Sequence, residues 1–208
     1  MTVADSQQFG DPSAGEPGGP GEFFLRMELR AEGQPVPAET LRAAIAPLAE
    51  EFAMEYAVHD RAVRRRVLVL VSRAGHCLND LLFRVRSGQL GVDIPAIVSN
   101  HEDFRSLAQW YQIPFHHIPV TPDTKDAAET ELLELVDAYA ADTIVLARYM
   151  QILSPMVCER LAGRIINIHH SLLPSFKGAK PYAQAHERGV KVIGATAHYV
   201  TAHLDDGP

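Results

Sequence analysis

The chain has 208 residues, of which 47% are hydrophobic and 22% are charged, and its formal net charge is -7. This length and composition allow a sizeable buried core and are not those of a fibrous or wholly disordered chain. The negative charge argues against a general nucleic-acid binder, which needs many Lys and Arg side chains to neutralise phosphates.

The sequence shows no sign of membrane insertion or secretion. Its longest continuous apolar run, Val67–Val71, is far shorter than the roughly 20 residues that cross a bilayer. The first residues are acidic and rich in Gly and Pro, unlike a secretion signal. The two cysteines, Cys77 and Cys158, do not resemble a disulfide framework. We therefore expect a cytoplasmic protein.

The N-terminal part of the chain predicts a small β-α-β piece. Gly10–Gly21 (GDPSAGEPGGPG) is a loop or link, because Pro removes backbone donors and Gly adds backbone entropy. Phe23–Leu29 alternates apolar and charged residues, which predicts a half-buried strand. Apolar residues spaced by three or four follow from Pro37 to Phe52 and predict a helix, and Met54–His59 indicates a second strand.

A basic segment, Arg61–Arg66 (RAVRRR), separates this part from the rest of the chain. We interpret it as a solvated linker rather than a nucleic-acid patch. The domain boundary is placed near Asp60, which divides the chain into residues 1–60 and 61–208.

The second region alternates short apolar runs with amphipathic stretches, which is typical of an α/β domain. We expect an open, mostly parallel sheet that binds ligands at the carboxyl ends of its strands. The predicted strands, all expected to be buried and parallel, are Val67–Val71, Ile94–Val98, Thr143–Leu146, Ile165–Ile168 and, approximately, Lys191–Tyr199. The predicted helices are Leu78–Val85, Phe104–Tyr111 and Asp126–Ala140.

One candidate for chemistry lies at the end of the strand Ile165–Ile168. Asn167 and His169 lie on the same face of an extended chain, whereas His170 points the other way. An amide N–H and an imidazole suit the stabilisation of a carbonyl oxygen that becomes negative. The alternative is that both residues only cap a turn before Pro174.

Two carboxylates, Asp205 and Asp206, precede Gly207 near the end of the chain. A carboxylate that folds back beside His169 would orient or deprotonate a water molecule. A solvated Asp-Asp-Gly turn is the alternative interpretation.

The ten histidines do not predict a metal site. His116–His117 and His169–His170 are adjacent pairs, whose rings diverge on an extended chain, and no His-x-x-x-His or Cys-x-x-Cys spacing occurs. His76 and Cys77 form a Cys-His couple, but adjacent side chains rarely face one another. We favour a cysteine at the start of a helix.

The segment Ala147–Leu153 (ARYMQIL) follows a predicted strand and mixes apolar side chains with exposed backbone. An apolar slot with free amides and carbonyls suits a flat heterocycle. Ordinary core packing of Met and Leu is the alternative.

Several segments spread over nearly the whole chain resemble one family. These segments are FFLRMELR (Phe23–Arg30), SRAGHCLNDLLFR (Ser72–Arg84), SNH (Ser99–His101), LARYMQILSP (Leu146–Pro155), IINIHHSLLPSFKGAKPY (Ile165–Tyr182) and GVKVIGATAHYVTAHLDDGP (Gly189–Pro208). Together they resemble the formyltetrahydrofolate deformylases of the folate-dependent formyltransferase superfamily.

The resemblance implies a hydrolase that acts on a linear amide C–N bond. The substrate would be 10-formyltetrahydrofolate, water would accept the formyl group without a cofactor, and the formate would serve purine biosynthesis and the balance of folate pools. Asn167, His169 and Asp205 would be the catalytic residues, and a homo-oligomer is implied. The pterin would be bound through the backbone of the 149–153 segment, whose implied binding residues are Tyr149, Met150, Gln151 and Leu153.

A glycinamide ribonucleotide formyltransferase is the nearest rival within the superfamily. Its first strand-to-helix loop carries a Gly-rich Ser-Asn element that cradles the acceptor's phosphate. Here His76 and Cys77 take the positions of that small pair, which removes donors and partly fills the acceptor side of the substrate site. This difference favours hydrolysis over transfer.

The resemblance also implies that the fold is incomplete. Residues Ser6–His59 resemble the later part of an ACT (ferredoxin-like) regulatory module, with Gly10–Gly21 as its hairpin loop, so binding of an amino-acid effector is doubtful. The catalytic domain resembles a Rossmann-like formyltransferase domain that ends early at Pro208. A chain truncated at both ends could instead be an inactive folate-binding or assembly module.

Overall fold

The structure, a computed structural model, describes residues 1–11 and 22–208. The chain divides into two compact units, Met1–Val63 and Arg64–Pro208. This division falls at the basic segment, a few residues after Asp60. The loop predicted at Gly10–Gly21 lies from residue 12 onward outside the described residues; Gly10 itself still belongs to a strand.

The first unit contains a hairpin and a helix. Strands β1 (Thr2–Asp11) and β2 (Glu22–Arg30) pair antiparallel, and helix α1 spans Ala38–Glu51. The strand predicted at Phe23–Leu29 and the helix predicted from Pro37 are thereby confirmed, but the predicted half-burial of that strand is wrong. Many apolar side chains of the hairpin are exposed, including those of Phe9, Phe23, Phe24, Leu25 and Met27.

The predicted strand at Met54–His59 is wrong. The composition of the segment suits a strand, but the segment pairs with no other strand among the described residues. It is attached to α1 instead, because the Tyr56 hydroxyl donates to the Arg42 carbonyl at 3.2 Å and the Arg42 guanidinium donates to the Val58 carbonyl at 3.0 Å. A strand needs a neighbouring strand to pair its backbone groups.

The second unit is a seven-stranded sheet with helices between its strands. In chain order the elements are β3 (Arg65–Val71), α2 (His76–Arg86), β4 (Val92–Asp93), β5 (Ile97–Ser99), α3 (Arg105–Tyr111), β6 (Phe115–His117), α4 (Lys125–Ala138), β7 (Thr143–Leu146), α5 (Pro155–Arg160), β8 (Ile165–His169), α6 (Pro181–Glu187) and β9 (Thr196–Tyr199). The strand order is β6-β5-β3-β7-β8-β9, with β4 beside the start of β3. All neighbours are parallel except β8 and β9, which are antiparallel.

The central strands and the three predicted helices are confirmed, but two strands needed correction. The strand expected at Ile94–Val98 begins only at Ile97, since Pro95 supplies no N–H to a ladder. The strand expected at Lys191–Tyr199 is confined to Thr196–Tyr199 and runs antiparallel, because a run of apolar residues does not encode strand direction. Strands β4 and β6 and helices α5 and α6 were not predicted.

The core lies on both faces of the sheet around β3. Leu68 and Leu70 pack in one cluster with residues of α4, and Val67, Val69 and Val71 pack in the other with residues of α2. A strand covered on both faces is continuously apolar, as the VLVLV run is. No helix within the described residues is long and apolar enough to cross a membrane.

Candidate active site

The loops that follow β3, β5 and β7 meet because these strands are neighbours and parallel. Ser72 joins them: its hydroxyl donates to the Asn100 side-chain oxygen at 2.7 Å and accepts from the Met150 amide at 2.9 Å. Ser72 and Asn100 are buried. The carboxyl-end edge of the sheet therefore has a fixed framework, and β8 lies next to β7 at the same edge.

Strand β8 presents Asn167 and His169, and β9 lies beside it. The antiparallel register places His198 opposite Asn167. His198 Nδ1 lies 3.0 Å from the Tyr199 carbonyl, which can only accept, so that nitrogen carries the proton. His198 Nε2 then accepts from the Asn167 amide at 3.2 Å. The network thus fixes the orientation of the Asn167 side chain.

Asp205 is folded back against this pair by the loop that follows β9. Its side chain is buried, its φ is +53°, and one carboxylate oxygen accepts from the Gly178 amide at 2.9 Å. The Tyr199 amide donates to the Pro208 carbonyl at 2.8 Å. A Cβ on Gly207 would stand 1.7 Å from the Tyr199 carbonyl oxygen, so only glycine allows this approach. These contacts hold the loop against β9.

The second oxygen of Asp205 faces two imidazoles. Oδ1 lies 3.4 Å from His169 Nδ1 and 3.8 Å from His198 Nε2. His169 Nε2 lies 2.8 Å from the Phe176 carbonyl and therefore carries a proton, so Nδ1 is the ring nitrogen that faces the carboxylate. The structure brings the three residues implied as catalytic into one cluster, in which His169 and Asp205 are buried and Asn167 is half-buried. Oδ1 is the Asp205 oxygen that does not accept from the Gly178 amide.

His198 is a member of this cluster that the sequence analysis did not single out. The signal was its position: a residue opposite Asn167 in an antiparallel pair lies in contact distance. We expected the last strand to be parallel, so the position of His198 opposite Asn167 was not predicted. Asp206 does not share the cluster, because it is exposed and pairs with Lys177, which lowers the pKa of Asp206.

His170 does not point away from His169, contrary to the prediction. The strand ends at His169, so alternation no longer applies, and the two ring centroids are 5.5 Å apart. The His170 ring also meets Tyr182 edge-on at 5.4 Å.

His170 gives the protein a testable dependence on pH. Burial and then the positive charge of Arg148, with smaller contributions from His169 and His76, lower the pKa of His170 below its ordinary value of 6.5, although Asp205 opposes them. The unfolded chain therefore binds the proton more tightly, and the free energy of unfolding falls as the pH drops below about 6.5, until the folded pKa is passed. His170→Gln should lose less stability on acidification. Urea unfolding at several pH values checks this, and equal slopes for both proteins would contradict it.

The segment implied to hold a pterin lies only partly in the core, through Tyr149 and Leu153. Tyr149, Gln151 and Leu153 line a cavity of about 10 Å³ against α4, which is room for one water molecule. Burial, with a smaller contribution from Glu129, raises the pKa of Tyr149 to about 12. Met150 is exposed, so the four residues do not share one pocket in this structure.

His76 and Cys77 are the first two residues of α2. His76 is exposed and Cys77 is half-buried against the core cluster of β3 and α2. Burial raises the pKa of the Cys77 thiol, so this cysteine is protonated at neutral pH and is not a reactive thiolate. A Cβ on Gly75 would stand 2.3 Å from the Phe104 ring, so α2 begins close against the loop after β5. Within residues 1–11 and 22–208, no group of three or more His, Cys, Asp or Glu could hold a metal ion.

The fold and the cluster define a class of protein: an open α/β sheet with an Asn-His-Asp group at its strand ends. Residues 65–208 match the model of a family described as formyl transferase. A Corynebacterium formyltetrahydrofolate deformylase is 49% identical over 207 residues, which are 100% of this chain and 70% of the relative. The chain therefore belongs to the formyl transferase family and, within it, to the formyltetrahydrofolate deformylases.

Solved structures agree with this assignment. The crystal structure of a formyltetrahydrofolate deformylase from Pseudomonas syringae is 48% identical, with a TM-score of 0.89, and the match covers 100% of this chain and 67% of that one. A phosphoribosylglycinamide formyltransferase from Coxiella burnetii is 34% identical with a TM-score of 0.65, covering 70% of each chain. The transferase likeness is thus weaker and covers less of this chain.

Proposed function

We propose that the chain hydrolyses 10-formyltetrahydrofolate to formate and tetrahydrofolate, with water as the formyl acceptor and without an added cofactor or metal. The observation that carries the proposal concerns the buried side chain of Asp205. Its Oδ1 does not accept from the Gly178 amide and lies 3.4 Å from His169 Nδ1. The names of the relatives support the choice of substrate and reaction.

Asp205 is the group that activates water. Its Oδ2 is occupied by the Gly178 amide, so Oδ1 takes the proton while the water oxygen attacks the formyl carbon. One amide hydrogen of Asn167 is donated to His198, which leaves the second for the oxyanion that forms. A proton on His169 Nδ1 supplies a further donor.

The intermediate collapses when the bond between the formyl carbon and N10 breaks. N10 takes a proton from His169 Nδ1, and the proton that Asp205 removed from water returns to His169. One water molecule is consumed and one C–N bond is cleaved. The products are tetrahydrofolate and formic acid, which ionises to formate and a proton.

Two further groups of residues bind the substrate in this proposal. Tyr149, Met150, Gln151 and Leu153 bind the pterin, chiefly through backbone groups of the segment that Ser72 anchors. His76 and Cys77, at the start of α2, lie on the acceptor side and favour water over a phosphorylated amine.

The test is formate release from 10-formyltetrahydrofolate by the purified 208-residue chain with no acceptor present. We expect stoichiometric formate and tetrahydrofolate, and no increase in turnover when glycinamide ribonucleotide is added. Transfer of the formyl group to that amine would identify the rival activity. Binding of folate without formate release would instead identify a binding module, and either result would contradict the proposal.

The first unit serves as an ACT-like module and the chain assembles as a homo-oligomer in this proposal. Its hairpin exposes Phe9 and Phe23 at 64% each and Phe24 at 52%. A patch of large apolar side chains on a small unit favours association. The molar mass in solution, compared with 22.9 kDa for one chain, tests this part separately.

The cytoplasm is the proposed location, and supply of formate for purine biosynthesis together with balance of the folate pools is the proposed role. Cys77 and Cys158 are free in the structure. Free thiols in an acidic, small-molecule enzyme suit a reducing compartment.

A further inference from the structure

Arg148 has a backbone conformation that its neighbours impose. It follows β7 with a φ of +63°, in the left-handed region that few residues other than glycine adopt. The Arg148 carbonyl accepts from the Ser72 amide at 3.2 Å, and the Ala147 amide donates to the Leu70 carbonyl at 2.8 Å. The Met150 amide donates to the Ser72 hydroxyl on the other side. Such outliers persist where the surroundings fix them, and they cluster at functional sites.

One hydrogen-bond donor of the Arg148 side chain lacks an acceptor among the described residues. Its Nε is buried and has no hydrogen-bond partner within the described part of the chain. None of the ion pairs formed by residues 1–11 and 22–208 includes Arg148. A buried charged donor without a partner is rare in folded proteins, because it has lost water and gained nothing in return.

Arg148 lies beside the catalytic cluster in the sheet, because the parallel register that pairs Leu146 with Asn167 brings Arg148 level with His169. Its charge reaches Cys77, at the start of α2, and His170, directly after β8, and favours the thiolate in one and the neutral imidazole in the other. His169 and Asp205 act on the same His170 imidazole. Arg148 and the catalytic cluster therefore lie at the same edge of the sheet, at the ends of β7 and β8.

We propose that Arg148 binds formate, the carboxylate formed at the reacting carbon. The inference rests on the proposed hydrolysis, in which the water oxygen bonds to the formyl carbon, the bond to N10 breaks, N10 takes up a proton, and the new acid ionises beside the cluster. A guanidinium presents paired N–H donors that match the two oxygens of a carboxylate. Formate supplies the acceptor that the buried Nε lacks.

The first measurement is product inhibition by formate at constant ionic strength. In Arg148→Gln we expect the inhibition constant for formate to rise by about 10- to 100-fold, as for loss of a hydrogen bond to a charged group. Arg148→Lys keeps the charge but not the paired donors and should show a smaller rise. An unchanged inhibition constant in Arg148→Gln would overturn the proposal, as would a higher KM for the folate with no change in formate inhibition.

Two glycine variants separate the side chain from the backbone. Arg148→Gly suits the left-handed conformation, so it keeps the fold even if Arg148→Gln does not, and it should show the same rise in the inhibition constant. Gln112→Gly is the matched control, since Gln112 ends α3 with a φ of +60°. Its inhibition constant should equal that of the unmodified protein.

Direct binding of ¹³C-labelled formate, followed by NMR line broadening, distinguishes failure of this inference from failure of the proposed function. If the unmodified chain releases no formate but binds it, and Arg148→Gly does not bind it, the Arg148 site stands while the proposed reaction fails. If the unmodified chain does not bind formate, or both proteins bind it equally, Arg148 is not the formate site.

Discussion

Asp205→Asn is expected to lower kcat for formate release by about 10²- to 10⁴-fold, the range for loss of a general base. The substitution removes the oxygen that takes the proton from water and changes little else. Asn accepts from the Gly178 amide as Asp does, and Asn tolerates the positive φ that Asp205 adopts. Steady-state kinetics with 10-formyltetrahydrofolate measure the effect, and KM should change little because the pterin segment is untouched.

Asp206→Asn is the matched control for this variant. Asp206 is the adjacent carboxylate, but it is exposed and paired with Lys177. Its removal breaks only a solvent-screened surface ion pair and should leave kcat close to that of the unmodified chain. Equal losses in the two variants would show that loop structure, rather than the Asp205 carboxylate, controls turnover, and an active Asp205→Asn would remove the proposed base.

Leu70→Ala should lower the free energy of unfolding of the second unit by about 2 to 5 kcal/mol. Leu70 is 0% exposed near the C-terminal end of β3, between Val98 of β5 and Leu146 of β7. Its truncation leaves a cavity where the sheet is covered on both faces. Urea unfolding followed by the fluorescence of Trp110, the single tryptophan, reports on the unit that contains the mutation.

The control truncates a leucine side chain on the surface instead of in the core. Leu204 is 54% exposed, so Leu204→Ala should change the free energy of unfolding by no more than about 0.5 kcal/mol. A loss in Leu70→Ala as small as in Leu204→Ala would mean that the core of the sheet is not packed as described.

The elements that could be predicted from the sequence are those whose pattern is set by burial alone. The VLVLV run of β3 reports a core on both faces of the sheet, and the helical spacing of α4 reports contact with one of these faces. The strand predicted at Met54–His59 is wrong because the composition suits a strand, whereas strand formation depends on a partner that no local pattern specifies. The parallel direction predicted for the last strand is wrong for the same reason, since apolar residues indicate burial and not orientation.

The residues of the site can likewise be divided into those that the sequence predicts and those that it does not. The same-face spacing of Asn167 and His169 follows from the geometry of a strand. The approach of Asp205 depends on a positive φ and on the contact of Gly207 with Tyr199, which residues alone do not reveal. His198 was missed because its pairing with Asn167 depends on the direction of the last strand. Arg148 was missed because its Nε is left without a hydrogen-bond partner only in the folded chain.

The two halves of the catalytic cluster are held with unequal strength. Asn167, His169 and His198 stand on paired strands, whereas Asp205 depends on loop contacts to Gly178 and β9. Loops open with lower free energies than central strands. A fluctuation that releases this loop therefore separates the base from its imidazole while the sheet stays folded, so amide hydrogen exchange should be faster at Gly178 than at Leu70. Catalytic competence then disappears on heating or in mild denaturant before any spectroscopic sign of unfolding.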